Sequence, residues 1–250
     1  MPSILRPAQL PKRGRPSKYL AIRDWLAARI ANGDYRCGAQ LPSEHDIMAR
    51  FEVSRVTARQ ALDDLRRLGL VFSLQGKGYF VRRLKAVLDL LRLQSFGEMM
   101  APLGLPTSSR VLDVSEVEAH RDVAEALRLE PGERVVEIKR ARLAGNSVIS
   151  MDVSYFPLDV GLRLVRLNLA SEDVFTLLEN ELDTGLGFAD LVIEAIPASD
   201  EQASYLDVRE GDNILRIKRL THDDCGRPVD FEYLYARLDT FQFRVRSARW

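Results

Sequence analysis

One stretch, residues 41–59, constrains the fold of this chain more than any other. Its sequence, LPSEHDIMARFEVSRVTAR, holds two helix-capping residues, Ser43 and Ser54, and each is followed by apolar residues at helical spacing. Two short helices joined by a tight turn are therefore predicted. The second helix begins with Arg55 and Arg59, whose planar guanidinium groups suit guanine edges and phosphates alike.

The second predicted helix carries one apolar stripe and is followed by a hairpin. Gly69 ends the helix, and two β-rich runs, 71–74 and 79–81, flank the turn Gln75-Gly76-Lys77-Gly78. A helix-turn-helix with such a hairpin is a winged helix, in which small glycines and Lys77 can approach a phosphate backbone closely. Helix pairs also occur as plain packing units, so the two helices alone leave the function open. The stripe consists of Ala58, Ala61, Leu62, Leu65 and Leu68.

The charges divide the chain, although the formal net charge is zero. Residues 1–92 hold 18 Lys and Arg against 8 Asp and Glu, a balance of +10, and the remainder holds 18 against 28, a balance of −10. This asymmetry indicates one domain that binds a polyanion and one domain with another task.

Several classes of protein are disfavoured by the composition. No run approaches the length of a membrane span, and no apolar leader is present, so we expect a cytoplasmic protein. Cys37 and Cys225 are far apart, and His45, His120 and His222 are scattered. We therefore expect no disulfide framework, no metal site and no cofactor.

Residues 1–17 form a basic arm ahead of a predicted helix over residues 18–32. Its composition is typical of a disordered tail. The cluster Lys12-Arg13-Gly14-Arg15-Pro16 also resembles the core of an AT-hook, so a minor-groove arm is the alternative.

The second half of the chain contains an internal repeat with a shift of 79 residues. Residues 127–140 parallel residues 206–219, with Gly, Ile, Lys and Arg recurring at equivalent positions. Each copy predicts a helix, a glycine turn and a long strand that turns back. A helix over 172–182 and a strand over 188–197 are predicted between the copies, so the domain is α+β with helices against an antiparallel sheet.

The motifs LPSE, VSRVTAR, AL..L...GL and QGKGYFV together resemble the DNA-binding domain of the GntR family of bacterial transcription regulators. In that family the residue after LPSE is usually arginine, and here it is His45, so one contact is expected to be retuned in a pH-dependent way. The DNA contacts that the resemblance implies are Ser43, His45, Ser54, Arg55, Thr57, Arg59, Gln75, Gly76 and Lys77.

Residues after Leu91 resemble the UTRA ligand-sensing domain of the HutC branch of that family. Four motifs carry the resemblance: SFGE at 95–98, RAR at 140–142, DVSY at 152–155, and GRP with RLD in 226–239. It implies a chorismate-lyase-like α+β fold, a pocket for a small molecule and a homodimer. The implied effector-binding residues are Ser95, Phe96, Arg140, Arg142, Asp152, Tyr155, Asp173, Tyr233 and Arg237.

The resemblance also bears on the effector. Arg140 and Arg142 alternate on one predicted strand, so both can grip one anion, although Arg140 recurs in the repeat as Arg219 and a structural role stays open. Phosphosugar-sensing relatives open the middle helix with a serine and a tyrosine, where this chain has Asp173 and Phe175. Asp173 would repel a phosphate, or it could stabilise its helix dipole or pair with an arginine. We therefore expect a carboxylate, an amino-acid-like metabolite or another molecule with a cationic end.

These inferences combine into one expected organisation: an arm over 1–17, a winged helix-turn-helix domain over 18–82, a linker over 83–92, and an effector-binding and dimerisation domain over 93–250. We expect a homodimeric transcriptional regulator, a repressor of a metabolic operon, that binds double-stranded DNA at a palindromic operator under effector control. It is not expected to be an enzyme. The alternatives are an architectural or weakly specific DNA-binding protein without a ligand, and a lyase-like enzyme.

Overall fold

The computed structural model describes residues 17–82, 86–101, 106–130 and 132–249. The described residues form two compact units, the first over 17–82 and the second from residue 86 onward. The basic arm, except for its last residue, and the first three linker residues lie outside the described ranges. No helix in the described part of the chain is both long enough and apolar enough to span a membrane.

The first unit is a three-helix domain with a two-stranded wing. Ser43 and Asp46 form a reciprocal capping box, and the Ser54 hydroxyl accepts a hydrogen bond from the Thr57 N–H, so both predicted caps are present. The predicted stripe of the third helix is buried through Leu65. The elements are α1 (Lys18–Ala31), α2 (Glu44–Phe51), α3 (Arg55–Arg67), β1 (Val71–Leu74) and β2 (Gly78–Val81).

The second unit is built around a six-stranded antiparallel sheet. The strands of this unit are β3 (Ala86–Asp89), β4 (Thr107–Glu118), β5 (Arg134–Ala144), β6 (Ser147–Pro157), β7 (Leu186–Pro197), β8 (Asn213–Asp223), β9 (Pro228–Arg237) and β10 (Phe241–Arg244). The strand order of the sheet is β4-β5-β6-β9-β8-β7, and a separate parallel pair joins β3 to β10. The helices are α4 (Phe96–Met100), α5 (Arg121–Leu127), α6 (Leu158–Leu164), α7 (Val174–Asn180) and α8 (Asp200–Leu206).

The internal repeat becomes a pair of similar β-α-β-β halves. Strands β4 and β5 and helix α5 recur as β7, β8 and α8, each 79 residues later. The two halves meet where β6 pairs with β9, so equivalent strands follow in the same order from either edge of the sheet. Helices α5 and α8 cover one face, and α6 and α7 pack against the other.

Several features differ from the sequence-based expectation. Strand β4 was not predicted, because it is an edge strand with many polar residues and most of its side chains are exposed. Helix α6 and the β3–β10 pair were also not predicted. The helix expected over 172–182 is shorter, since Asp173 is its N-cap and α7 ends at Asn180.

Candidate functional site

Two arginines at the start of α3 converge on one carboxylate. The Nε atoms of Arg55 and Arg59 donate to the two oxygens of Glu44 at 2.6 Å and 2.7 Å. The arginine side chains are 70% and 54% exposed, whereas that of Glu44 is 18% exposed. The hydrogen bonds from Arg59 and Arg55 lower the pKa of Glu44. The carboxylate therefore holds both guanidinium groups in position on the solvent face of α3.

The rest of that face combines polar groups with an apolar side chain. Ser54 Oγ lies 2.9 Å from Thr57 Oγ1, and Val56 is 75% exposed between the two arginines. Such a surface can contact phosphates, guanine edges and thymine methyl groups in a major groove. Neither Glu44 nor Val56 was predicted as part of the site, although an apolar residue on the polar side of an amphipathic helix is a readable signal.

The wing presents its turn to solvent. Gly76 has φ of +73°, a conformation that suits glycine, and Gln75 and Lys77 are exposed beside it. Gln40 supports the turn, because its Nε2 donates to the Lys77 carbonyl oxygen at 2.6 Å. A lysine at a supported loop tip can neutralise a DNA phosphate.

All nine residues predicted to contact DNA lie in the first unit. Eight of them are exposed, and Thr57 is half-buried. Ser43 and Ser54 cap α2 and α3, so their hydroxyl groups also position the helices. His45 is exposed in the first turn of α2.

The second unit contains a buried cluster of charges on the face of its sheet that packs against α6 and α7. Three arginines and four carboxyl groups line one small cavity together with the beginnings of α4 and α7. Their side chains meet because alternate residues of neighbouring strands point to the same face. The charged members are Arg140, Arg142, Arg219, Asp152, Asp173, Asp230 and Glu232.

Two of the arginines are paired. Arg142 Nη2 donates to Asp173 Oδ1 at 2.7 Å, and Arg219 Nη2 lies 2.6 Å from Glu232 Oε2. Each guanidinium carbon also lies 4.6 Å from the centre of a phenylalanine ring, Phe96 for Arg142 and Phe175 for Arg219. These contacts fix both guanidinium planes.

The third arginine is different. Arg140 is 2% exposed, and its Nε and Nη1 atoms have no hydrogen-bond partner among the described residues. Asp230 is 1% exposed, and its Oδ1 is also without such a partner. The cavity beside them measures ≈ 30 Å³. Buried polar atoms of this kind are expected to bind water or a ligand.

Burial and neighbouring charges shift the cluster's carboxyl groups in different directions. Burial and the charge of Glu232 raise the pKa of Asp230 to about 8, and the same causes raise the pKa of Asp152 to about 6. Burial alone would raise the pKa of Asp173, but the charge and hydrogen bond of Arg142 lower it. The cluster therefore combines ionised and protonated acids near neutral pH.

The structure brings six of the nine predicted effector residues to this cavity: Ser95, Phe96, Arg140, Arg142, Asp152 and Asp173. It does not bring Tyr155, Tyr233 or Arg237 there. These three occupy the alternate positions of β6 and β9, so they point to the opposite face, where Tyr155 and Tyr233 pack with α5 and α8. Arg237 donates to the Leu206 carbonyl oxygen at 3.0 Å. The prediction that these three side chains share one pocket with Arg140 and Arg142 is therefore wrong for this cavity.

Three charged residues of the cavity were missed: Arg219, Asp230 and Glu232. A signal for Arg219 was available, because the repeat maps Arg140 onto it. Asp230 and Glu232 alternate on β9 and so share a face, but only the pairing of β9 with β6 and β8 shows that they face the arginines.

Models of known families match most of the chain. The UTRA domain model matches residues 103–242, and the model of bacterial regulatory proteins of the gntR family matches residues 18–81. The HTH-type transcriptional repressor NagR of Bacillus subtilis is 29% identical over 225 residues, which cover 90% of this chain and 92% of NagR. The HTH-type transcriptional regulator TreR of the same organism is 26% identical over 228 residues, which cover 91% of this chain and 95% of TreR.

A solved structure shares the fold over nearly the whole chain. PhnF from Mycobacterium smegmatis superposes with a TM-score of 0.66 at 21% identity, covering 91% of this chain and all of PhnF. The winged helix-turn-helix, the antiparallel sheet and the two domain matches agree with one another. The chain belongs to the GntR family of bacterial transcription regulators and carries the UTRA domain of the family's HutC-like group.

Proposed function

We propose that this chain is a homodimeric repressor of a metabolic operon in the bacterial cytoplasm, and that a small-molecule effector controls its hold on a palindromic operator. Arg140 carries the proposal: it is a buried guanidinium with two unpaired nitrogens beside a cavity, in a chain that also has a winged helix-turn-helix. Burying an unsatisfied charge costs free energy, so such a group is expected where a ligand completes the site.

The DNA-binding half of the proposal rests on α3 and the wing. In each protomer Arg55, Thr57 and Arg59 would face the major groove and Lys77 would contact a phosphate. Half-sites about one helical turn apart would match a two-fold symmetric dimer. Residues 18–82 would be the DNA-binding domain, and the second unit, which begins at residue 86 rather than at residue 93, would be the domain for effector binding and dimerisation.

Exposed apolar side chains on the edge strands support a dimer. Phe188 and Val192 of β7 are both more than half exposed, and Val114 of β4 is 40% exposed. Edge strands that carry such side chains are suited to bury them against another chain.

The charges of the cavity favour an effector with an amino group. Four carboxyl groups face three arginines, and Asp230 retains an unpaired oxygen. An amino-acid-like molecule would place its carboxylate against Arg140 and its ammonium group against Asp230, which would release its proton when the molecule binds. The effector must bind the DNA-binding and released states with unequal affinity, since otherwise the equilibrium between them does not move.

The test begins with DNA. Sequences that the full-length protein retains from a random duplex pool are identified, and the preferred duplex is then challenged with carboxylates, amino acids, phosphosugars and phosphonates. We expect a palindromic preference and release by at least one compound that also raises the thermal midpoint of unfolding. Retention without sequence preference would instead support an architectural DNA-binding protein.

A further inference from the structure

The side chain of Asp173 makes contacts that an N-cap residue does not usually make. Asp173 begins α7, yet its carboxylate forms no cap hydrogen bond with that helix. Instead Oδ1 accepts from Arg142 Nη2 at 2.7 Å and Oδ2 accepts from the Gly97 N–H at 2.6 Å. Two donors on separate elements therefore converge on one carboxylate.

Gly97 makes this contact possible. A Cβ at position 97 would lie 2.9 Å from Asp173 Oδ2, closer than such atoms approach in proteins. The small residue lets the carboxylate reach the backbone N–H without obstruction. Because the side chain of Asp173 is only 16% exposed, the carboxylate and its donors are largely shielded from water.

The same arrangement leaves no favourable potential for a second anion at Arg142. An anion that bound Arg142 would either displace Asp173 or stand beside its carboxylate, and like charges at that distance in a buried site repel strongly. Arg140, whose Nε and Nη1 have no hydrogen-bond partner among the described residues, stays available to an anion.

We propose that the Asp173 carboxylate occupies an anion site formed by the Arg142 guanidinium and the Gly97 N–H, the Arg142–Gly97 cradle. The pocket therefore rejects effectors with a phosphate and accepts an amine-bearing molecule with at most one carboxylate. The inference rests on the proposed function, because it assigns the ligand class of the same pocket. Asp173 is thus a specificity-determining residue, and its removal converts the cradle into a phosphate site.

The test uses inorganic phosphate as the probe and four full-length proteins: the wild type, D173S, G97A and the double variant D173S/R142M. D173S removes the internal anion, and G97A pushes the carboxylate away from the N–H by steric contact. Phosphate binding is measured by calorimetry and by the thermal midpoint, with chloride at matched ionic strength. The basic DNA-binding unit gives the same background in all four proteins.

We expect saturable phosphate binding in D173S, at least about tenfold tighter than in the wild type, which corresponds to about 1.4 kcal/mol. G97A should show a smaller gain, and D173S/R142M should return to the wild-type background. Equal phosphate binding by the wild type and D173S would overturn the inference, as would a folded D173S and a folded G97A that both fail to gain it. If D173S does not fold, the result for G97A decides.

Retention of the preferred DNA duplex is measured separately on the wild type. Failure of the wild type to select DNA would contradict the proposed function, whatever the phosphate result. Selective DNA binding without any gain of phosphate binding in the variants would contradict only the role of Asp173.

Discussion

Arg219 pairs with Glu232 at 2.6 Å, whereas Arg140, its equivalent 79 residues earlier, has two nitrogens without a partner among the described residues. Arg140 stands opposite Asp152 in the strand register, as Arg219 stands opposite Glu232. However, Asp152 accepts a hydrogen bond from Ser150 at 2.7 Å and lies 3.8 Å from Arg142. In one repeat half the arginine lies within ion-pair distance of a carboxylate, although its Nε has no hydrogen-bond partner, whereas in the other half two nitrogens of the arginine have none among the described residues.

The substitution Asp230→Asn should make the protein less sensitive to pH between pH 6 and pH 8. Burial and Glu232 raise the pKa of Asp230 from 3.8 to about 8, while Arg219 and Arg140 oppose the shift. The folded protein therefore holds a proton that the unfolded chain has already released, and its stability falls as pH rises toward 8. One such proton gives a slope of up to about 1.4 kcal/mol per pH unit. Urea unfolding of the wild type and D230N at pH 6 and pH 8 measures how the free energy of unfolding depends on pH.

Asn imitates the protonated acid, so D230N should be more stable than the wild type at pH 8, and this advantage should shrink as the pH falls toward 4. The control is D190N, which neutralises an exposed carboxylate on β7. If D230N and D190N show the same dependence on pH, Asp230 is not the group that holds the proton.

Local hydrogen-bonding signals made much of the fold predictable. Ser43 and Ser54 begin helices at the predicted residues, because a serine hydroxyl satisfies a free N–H of the first turn. The repeat predicted helices α5 and α8 and strands β5, β6, β8 and β9. Strand β4 escaped prediction because an edge strand exposed on both faces lacks the apolar alternation that identifies a half-buried strand.

The candidate effector site was predictable only in part. Alternation placed Arg140 and Arg142 on one face, but Tyr155 was grouped with Asp152 although the two are three residues apart on β6. An odd separation in a strand places two side chains on opposite faces. Glu232 joins the site through the pairing of β9 with β6 and β8, which is tertiary information that no local pattern contains.

Gly161→Ala should destabilise the second unit by about 1–3 kcal/mol through overpacking. A Cβ at position 161 would lie 2.4 Å from Val136 Cβ, and Val136 is fully buried on β5. Urea unfolding measures the change. The control is L162A in the same helix, where the side chain is 37% exposed and the loss should be smaller. A gain in stability from the better helix propensity of alanine would show that α6 does not pack this closely on β5.

Lys77→Ala should weaken binding to all duplexes by a similar factor. Lys77 is exposed at the wing tip, where it can neutralise one phosphate without reading a base. The slope of log affinity against log salt concentration should become shallower by about 0.9, the value for one phosphate contact. Titrations of the preferred and of a random duplex at several salt concentrations measure it. The control is K139A, which removes a lysine of β5. An unchanged salt dependence in K77A would show that Lys77 does not contact a phosphate.

Arg59→Ala should reduce both affinity and selectivity. The loss of a base contact costs about 1–3 kcal/mol on the preferred duplex and much less on a random one, so the preference at one base pair per half-site should relax. Competition binding with duplexes substituted at each position measures this. The matched control is R67A in the last turn of α3, where the arginine pairs with Asp64. Equal losses on both duplexes would mean that Arg59 contacts only phosphate.

Glu44→Gln should separate the positioning of the arginines from their charge. The Glu44 carboxylate holds both Arg55 and Arg59, and its removal frees them while adding one positive charge to the DNA-binding surface. We therefore expect tighter binding to random DNA and about a tenfold lower ratio of specific to random affinity. The folding stability should change by less than about 1 kcal/mol, since both arginines are exposed.

The matched control for E44Q is E52Q, which makes the same charge change at an exposed residue at the end of α2. E52Q should strengthen binding to random DNA through charge alone and leave the preference for the selected duplex intact. If both variants lower the ratio equally, the long-range charge explains the effect. If only E44Q lowers it, the carboxylate orients the two arginines for base recognition, and specificity depends on an acid that need not touch DNA.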